Sequence, residues 1–123
     1  MPKCILIVDD SPLIRKFIHS YFDSETDYHV CGEASDGLDA IEKARELHPD
    51  LIILDASMPR MSGLEAAPLL RSLDENVPII LFTMHAESIS DFEASAAGIT
   101  SVVSKARSIS ELSQRVESLL RFV

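Results

Sequence analysis

The sequence is short of basic residues, glycine, cysteine and long apolar runs. Against 20 acidic side chains stand 11 lysines and arginines, a net charge of −9 over 123 residues. Duplex phosphates require a basic surface, so this balance argues against direct nucleic-acid binding. No apolar run exceeds about six residues, where roughly 18 are needed to cross a bilayer, so no membrane span is expected. The run Cys4-Ile5-Leu6-Ile7-Val8 is too short, and too closely followed by two aspartates, to be a signal peptide. The four glycines form neither G-x-G-x-x-G nor G-x-x-x-x-G-K-S/T, which argues against dinucleotide and nucleoside-triphosphate loops. No linker, low-complexity tract or sequence repeat interrupts the chain, and one domain over residues 1–123 is expected. Only two cysteines are present. Cys4 and Cys31 sit in apolar-flanked segments and read as reduced core thiols of a cytosolic protein rather than as a disulfide.

What the chain does have is rhythm. Strand-like runs at 4–8, 28–34, 51–54, 77–82 and 101–104 start 24, 23, 26 and 24 residues apart. Each interval holds one helix and two short loops, the spacing of repeated βαβ units. The first, third and fourth runs are apolar at nearly every position, as strands covered on both faces must be. Between them lie helical faces: Leu13, Ile14, Phe17, Ile18 and Tyr21; then Leu38, Ile41 and Ala44. The spacing predicts a fourth helix over 87–97 with Ile89, Phe92 and Ala96 inward, and a fifth that buries Leu112, Val116, Leu119 and Val123. Ser11 with Pro12, Asp36, and the boxes Ser62-x-x-Glu65 and Ser108-x-x-Glu111 mark helix starts. Pro68 falls inside the third helix, which is therefore expected to be short or kinked. The fold expected is a five-stranded, doubly wound α/β domain.

In such a sheet, ligands bind beyond the carboxyl ends of the strands. Asp9 and Asp10 follow the first strand, Asp55 the third, Thr83 the fourth and Lys105 the fifth. Each alone has an ordinary explanation as a turn, cap or surface residue. Jointly they place three carboxylates, a hydroxyl and an amine at one sheet edge. Close carboxylates repel, and each would carry a raised pKa unless a cation were near. All three are hard oxygen donors, which points to Mg²⁺. Lys105 and Thr83 would complete a site for a phosphoryl dianion on or near Asp55.

These residues resemble a known set. Val8-Asp9-Asp10-Ser11, Leu54-Asp55 with Met58-Pro59 and Ser62-Gly63-Leu64, Leu81-Phe82-Thr83, and Val103-Ser104-Lys105 are similar, in that order and spacing, to the receiver domain of bacterial two-component response regulators. The resemblance implies a CheY-like, flavodoxin-like sheet of order 2-1-3-4-5 with five helices. It implies Asp55 as phosphoacceptor from a sensor histidine kinase or phosphotransfer protein, with Mg²⁺ held by Asp10, by Asp9 through water, by Asp55, and by the Ser57 backbone carbonyl. Thr83 would then move toward the phosphoryl group and Lys105 would neutralise it, altering the face of the fourth helix, fifth strand and fifth helix. That face is a possible homodimer contact, and a C-terminal DNA-binding domain is a possible output in a longer chain. No separate enzyme activity beyond its own phosphorylation and dephosphorylation is implied, and the setting is cytoplasmic.

Two positions depart from the pattern. Val102 stands where the family often has a switching aromatic ring, and Ala106 where it often has a proline after a cis bond. The Lys105–Ala106 link is expected either trans with a changed loop or as a strained cis bond. The non-proline leans toward receivers attached to helix-turn-helix outputs. His85 and Ser57 flank the expected phosphoryl position, with His85 otherwise an exposed loop residue. Two other readings stand beside the switch: a receiver-like interaction module that is never phosphorylated, and a small Mg²⁺-dependent phosphohydrolase with an aspartyl nucleophile.

Overall fold

The computed structural model describes residues 2–121. Strands β1 (Cys4–Val8), β2 (His29–Ala34), β3 (Leu51–Leu54), β4 (Ile79–Thr83) and β5 (Ser101–Ser104) form one parallel sheet in the order β2-β1-β3-β4-β5. Helices α1 (Pro12–Glu25), α2 (Gly37–Leu47), α3 (Gly63–Leu73), α4 (Asp91–Ala96) and α5 (Ile109–Leu120) alternate with them. This is the doubly wound fold expected. Its core has two halves because strand side chains alternate between faces. Ile5 and Ile7 pack with Ile18, Phe22, Leu112 and Val116 on the α1 and α5 side. Leu6 and Val8 pack with Ala40, Ala44, Ala66 and Leu70 on the α2 and α3 side. Both faces being covered, β1, β3 and β4 are apolar at nearly every position, Thr83 at the end of β4 being the exception.

Three helix starts form as the sequence predicts. The Ser11 hydroxyl accepts the Ile14 N–H, Asp36 accepts that of Asp39, and Ser62 and Glu65 bond each other's backbone N–H groups reciprocally. Ser108 differs. Its hydroxyl meets that of Ser110 at 2.8 Å, and the box with Glu111 does not form. The expected helix faces are met in part: Ile18 and Ala44 are buried and Ile14, Tyr21 and Ile41 pack against the core, whereas Leu13, Phe17 and Leu38 are exposed and α1 buries Phe22 in addition. The third helix is neither shortened nor broken at Pro68. It equals α2 in length at 11 residues and buries Ala66, Ala67 and Leu70 around a proline whose ring faces solvent.

The largest departure follows β4. In place of one helix over 87–97 stand a 3₁₀ turn, Ala86–Ser88, and the six-residue α4. Ser90 accepts the Glu93 N–H at 3.0 Å and so starts a new helix, which Gly98 ends in the left-handed region at φ 86°. Phe92 is 83% exposed and Ala96 is exposed; Ala94 is the one buried residue of α4. At the end of the chain, α5 buries Leu112, Val116 and Leu120, Leu119 is half-buried, and Val123 lies outside the described residues.

The cysteines also correct the sequence reading. Cys4 and Cys31 are joined as a disulfide. β1 and β2 are neighbours, and a register shift between Ile5 and Leu6 passes over Cys31, placing the two Cα atoms 5.5 Å apart. That pairing depends on strand order and on a bulge, which cysteine content alone does not reveal. No cis peptide bond occurs among the described residues, so Lys105–Ala106 takes the trans form.

Candidate functional site

The sheet topology brings the carboxyl ends of β1, β3, β4 and β5 together. Asp9 leaves β1 almost fully buried, at 2% exposure, and every polar group on it is engaged. Its N–H donates to the Ala34 carbonyl at 3.0 Å, its carbonyl accepts from Arg15 Nη1 at 2.7 Å, and its Oδ1 accepts the Ser11 N–H at 2.9 Å. Its Oδ2 lies 2.5 Å from Lys105 Nζ. Asp55 follows β3 at 7% exposure, its N–H bonded to the Val8 carbonyl at 2.9 Å. Its Oδ1 is 3.4 Å from the same Lys105 nitrogen. Lys105 thus bridges two buried carboxylates, with its ammonium 6.0 Å from the centre of the Phe82 ring. Asp10 is exposed at the rim.

One oxygen each from Asp9, Asp10 and Asp55 lie within 4.8 Å of one another. Among the described residues this is the one cluster of three or more acidic, His or Cys side chains able to hold a metal ion. The donors are all carboxylate oxygens, one set facing solvent, which fits a hard divalent cation that keeps part of its water shell. Asp55 is held above the usual aspartate range, first by burial and then by the charge of Asp9. The Lys105 ammonium and a hydrogen bond from the Ser57 N–H oppose that rise. Repulsion, which the sequence reading took as the cause, is therefore the smaller of the two effects at Asp55.

Thr83 ends β4 at 1% exposure, and its hydroxyl accepts the His85 N–H at 3.2 Å. The Lys105 N–H donates to the Thr83 carbonyl at 2.9 Å, so these two residues are locked together through the backbone. His85 and Ser57 are exposed. Gly63 is required by proximity: a Cβ there would strike the Asp55 carbonyl, and its N–H donates to the Ala56 carbonyl at 2.9 Å.

The structure gives further residues a place at the site. Arg15 ties the Asp9 carbonyl to Glu33, whose other oxygen meets His19 Nδ1 at 2.8 Å. These contacts hold Glu33 below the ordinary glutamate range, the His19 bond most of all. Arg60, in the loop after Asp55, reaches Asp36. The spacing of Arg15 from Asp9, one turn into a helix that starts at the site, was the available signal; Asp36 was legible only as a helix cap, and Arg60 carried none.

Comparisons place this geometry among known proteins. The family model described as "Response regulator receiver domain" matches residues 5–117. The response regulator protein VraR of Staphylococcus saprophyticus is 36% identical over 116 residues, covering 94% of this chain and 56% of that protein. The chain therefore spans about half the length of that relative. Among solved structures, response regulator TrrA of Thermotoga maritima, in complex with Mg²⁺ and BeF, superposes with a TM-score of 0.86 at 35% identity, covering 96% of this chain and 99% of that one. A DNA-binding response regulator of the LuxR family from Staphylococcus aureus gives 0.85 at 26% identity, covering 95% and 98%. With five parallel strands in the order 2-1-3-4-5, the Asp9, Asp10 and Asp55 cluster at their ends and a family model over nearly the whole length, this chain belongs to the response regulator receiver domain family.

Proposed function

We propose that this receiver domain is a phosphorylation switch with Asp55 as the acceptor. The observation that carries the reading is a buried carboxylate, raised in pKa, contacted by Lys105 and clustered with two further aspartates. An Asp55 oxygen attacks the phosphorus of a phosphohistidine on a sensor kinase or phosphotransfer protein; the P–N bond breaks and an aspartyl phosphate forms. Asp9, Asp10, Asp55 and the Ser57 carbonyl would hold Mg²⁺, which when bound offsets charge on the transferring phosphoryl oxygens. Lys105, in contact with both Asp9 and Asp55, would contribute a second positive centre. Asp9 is immobilised by four contacts, so the site is organised before the phosphoryl group arrives.

Thr83 couples chemistry to output. Its hydroxyl sits at the root of the segment leading into α4, and turning it toward a phosphoryl oxygen draws on the bond it accepts from His85. Val102 offers no ring to swing, so the switch runs through backbone movement after Thr83. The face of α4, β5 and α5 then reports the state, to a second copy or to an output module such as the DNA-binding one named for the Staphylococcus aureus relative. A cytoplasmic setting and the absence of any separate catalytic activity are part of the same proposal.

Incubation with Mg²⁺ and acetyl phosphate, followed by intact mass, tests it. One added phosphoryl group is expected, lost with Asp55→Asn or with EDTA. Continuous release of phosphate from esters would overturn the reading in favour of a hydrolase, and no uptake at all would favour a module that is never phosphorylated.

A further inference from the structure

Arg60 is an unusual residue in an unusual place. It adopts a left-handed backbone, φ 63°, five residues after Asp55, where a residue with a Cβ is disfavoured. Its side chain is 61% exposed, yet Nε and Nη2 converge on Asp36 Oδ2 at 2.7 and 2.6 Å. Asp36 is buried, and its other oxygen accepts the Asp39 N–H at 2.9 Å to cap α2. Asparagine would cap a helix equally well, so the cap alone does not account for a buried charge there. Arg60 does account for it. Beside this pair the Gly37 N–H donates to the Met61 carbonyl at 3.1 Å, so two consecutive loop residues are fastened to the first turn of α2.

The other end of the same loop touches the acceptor. The Ser57 N–H lies near enough to the Asp55 carboxylate, two residues back, to lower its pKa, and the loop closes on itself through Gly63 N–H to the Ala56 carbonyl at 2.9 Å and Met61 N–H to the Pro59 carbonyl at 2.7 Å. A loop closed at its base and fastened at its tip has little freedom left between. We propose that the Arg60–Asp36 ion pair is a positioning clamp on the loop after Asp55, setting where the Ser57 N–H and carbonyl stand relative to the acceptor carboxylate. Neither residue touches the reacting atoms; both act through Ser57. The inference rests on the acceptor reading given above for its consequence in Mg²⁺ binding and phosphoryl uptake, and on the loop contacts alone for its consequence in the metal-free chain.

Asp36→Asn keeps the cap and removes the charge; Arg60→Gly removes the guanidinium and relieves the backbone. Three quantities decide the matter: amide hydrogen exchange at Ser57 in the metal-free chain, the Mg²⁺ Kd by calorimetry, and the initial rate with acetyl phosphate. Each single variant is expected to speed Ser57 exchange and to weaken Mg²⁺ binding about tenfold, the lower end of what removing a supporting contact costs a metal site. The double variant is expected to be no worse than the weaker single, because both act through one contact, and Arg60→Lys recovers part of the loss. Ser57 exchange and Mg²⁺ affinity within about twofold of the parent in both singles would overturn the clamp, as would full additivity of the two. Should Asp36→Asn disturb α2, Arg60→Gly decides alone. If the parent takes up no phosphoryl group while Ser57 exchange still quickens in the variants, the acceptor reading fails and the clamp stands.

Discussion

The acid cluster and the segment after β4 sit at the same edge of one sheet, yet they are built in opposite ways. Asp9 and Asp55 hang from strands buried on both faces, and Asp9 is held by four separate hydrogen-bonding partners. From Met84 to Gly98 the chain makes a single 3₁₀ turn and a helix of six residues with one buried side chain, and it turns Phe92 out to solvent. On the proposed function, groups that meet a phosphoryl dianion need fixed positions, since misplacement costs rate. On the same proposal, a segment that changes shape in response needs few contacts to break, and low local stability is where such movement is drawn from. Thr83 lies on the boundary, its body in the sheet and its hydroxyl on the His85 amide of the loose part.

Lys105→Ala attacks the rigid side hardest. It leaves Asp9 and Asp55 buried without their shared cation, and removing one partner of a buried pair costs about 3 kcal/mol or more. Urea unfolding of the metal-free variant is expected to show a loss of that size, partly restored by Mg²⁺. A change below about 1 kcal/mol, as for an exposed pair, would mean that the cluster is not held by Lys105. Cys31→Ala follows, because edge strand β2 is stapled to the start of β1, the end away from Asp9, across a sequence separation of 27 residues. On the chain-entropy account that bridge contributes about 3 kcal/mol. Non-reducing unfolding is expected to show the loss, and dithiothreitol to abolish the difference between variant and parent. Phe92→Ala is the smallest expected effect, within about 0.5 kcal/mol, because so exposed a ring is not part of the core. A loss of several kcal/mol there would show that α4 is packed as firmly as the strands and would end the contrast.

The sequence made the framework legible where local and global signals agree. Strands β1, β3 and β5 begin and end where the apolar runs do, and Ser11, Asp36 and Ser62 cap the helices they were expected to cap. Legibility failed where position around an axis or a distant partner decides. Leu13 and Phe17 satisfy helical periodicity together with Ile14, Ile18 and Tyr21, but the sheet takes the stripe centred on Ile18 and Phe22, and periodicity cannot say where the edge of a broad face will fall. Ser62 and Ser108 carry the same spacing to a glutamate; only the first forms its box, since the Ser108 hydroxyl is taken by Ser110. The helix expected over 87–97 ignored Ser90 as a start signal within it. The candidate site was legible in Asp9, Asp10, Asp55, Thr83 and Lys105 because they terminate strands. The residues that hold the site, Arg15, Glu33, Asp36 and Arg60, meet only in three dimensions.

The central physical claim is that Asp55 is a carboxylate kept buried at a cost that a divalent ion removes. Its pKa is raised, so the folded state binds that proton more tightly than the unfolded chain does. The ionised group therefore detracts from stability as pH rises above the ordinary aspartate value of about 3.9, and the penalty is complete once the folded pKa is passed. The most direct measurement is urea unfolding of the parent and of Asp55→Asn at neutral pH, each with and without 10 mM Mg²⁺, the added ion entering as linkage to the folded state. Without metal the asparagine variant is expected to be the more stable, and Mg²⁺ is expected to raise the parent substantially while moving the variant little. A parent that is already the more stable without metal, and that Mg²⁺ leaves unchanged, would contradict the account.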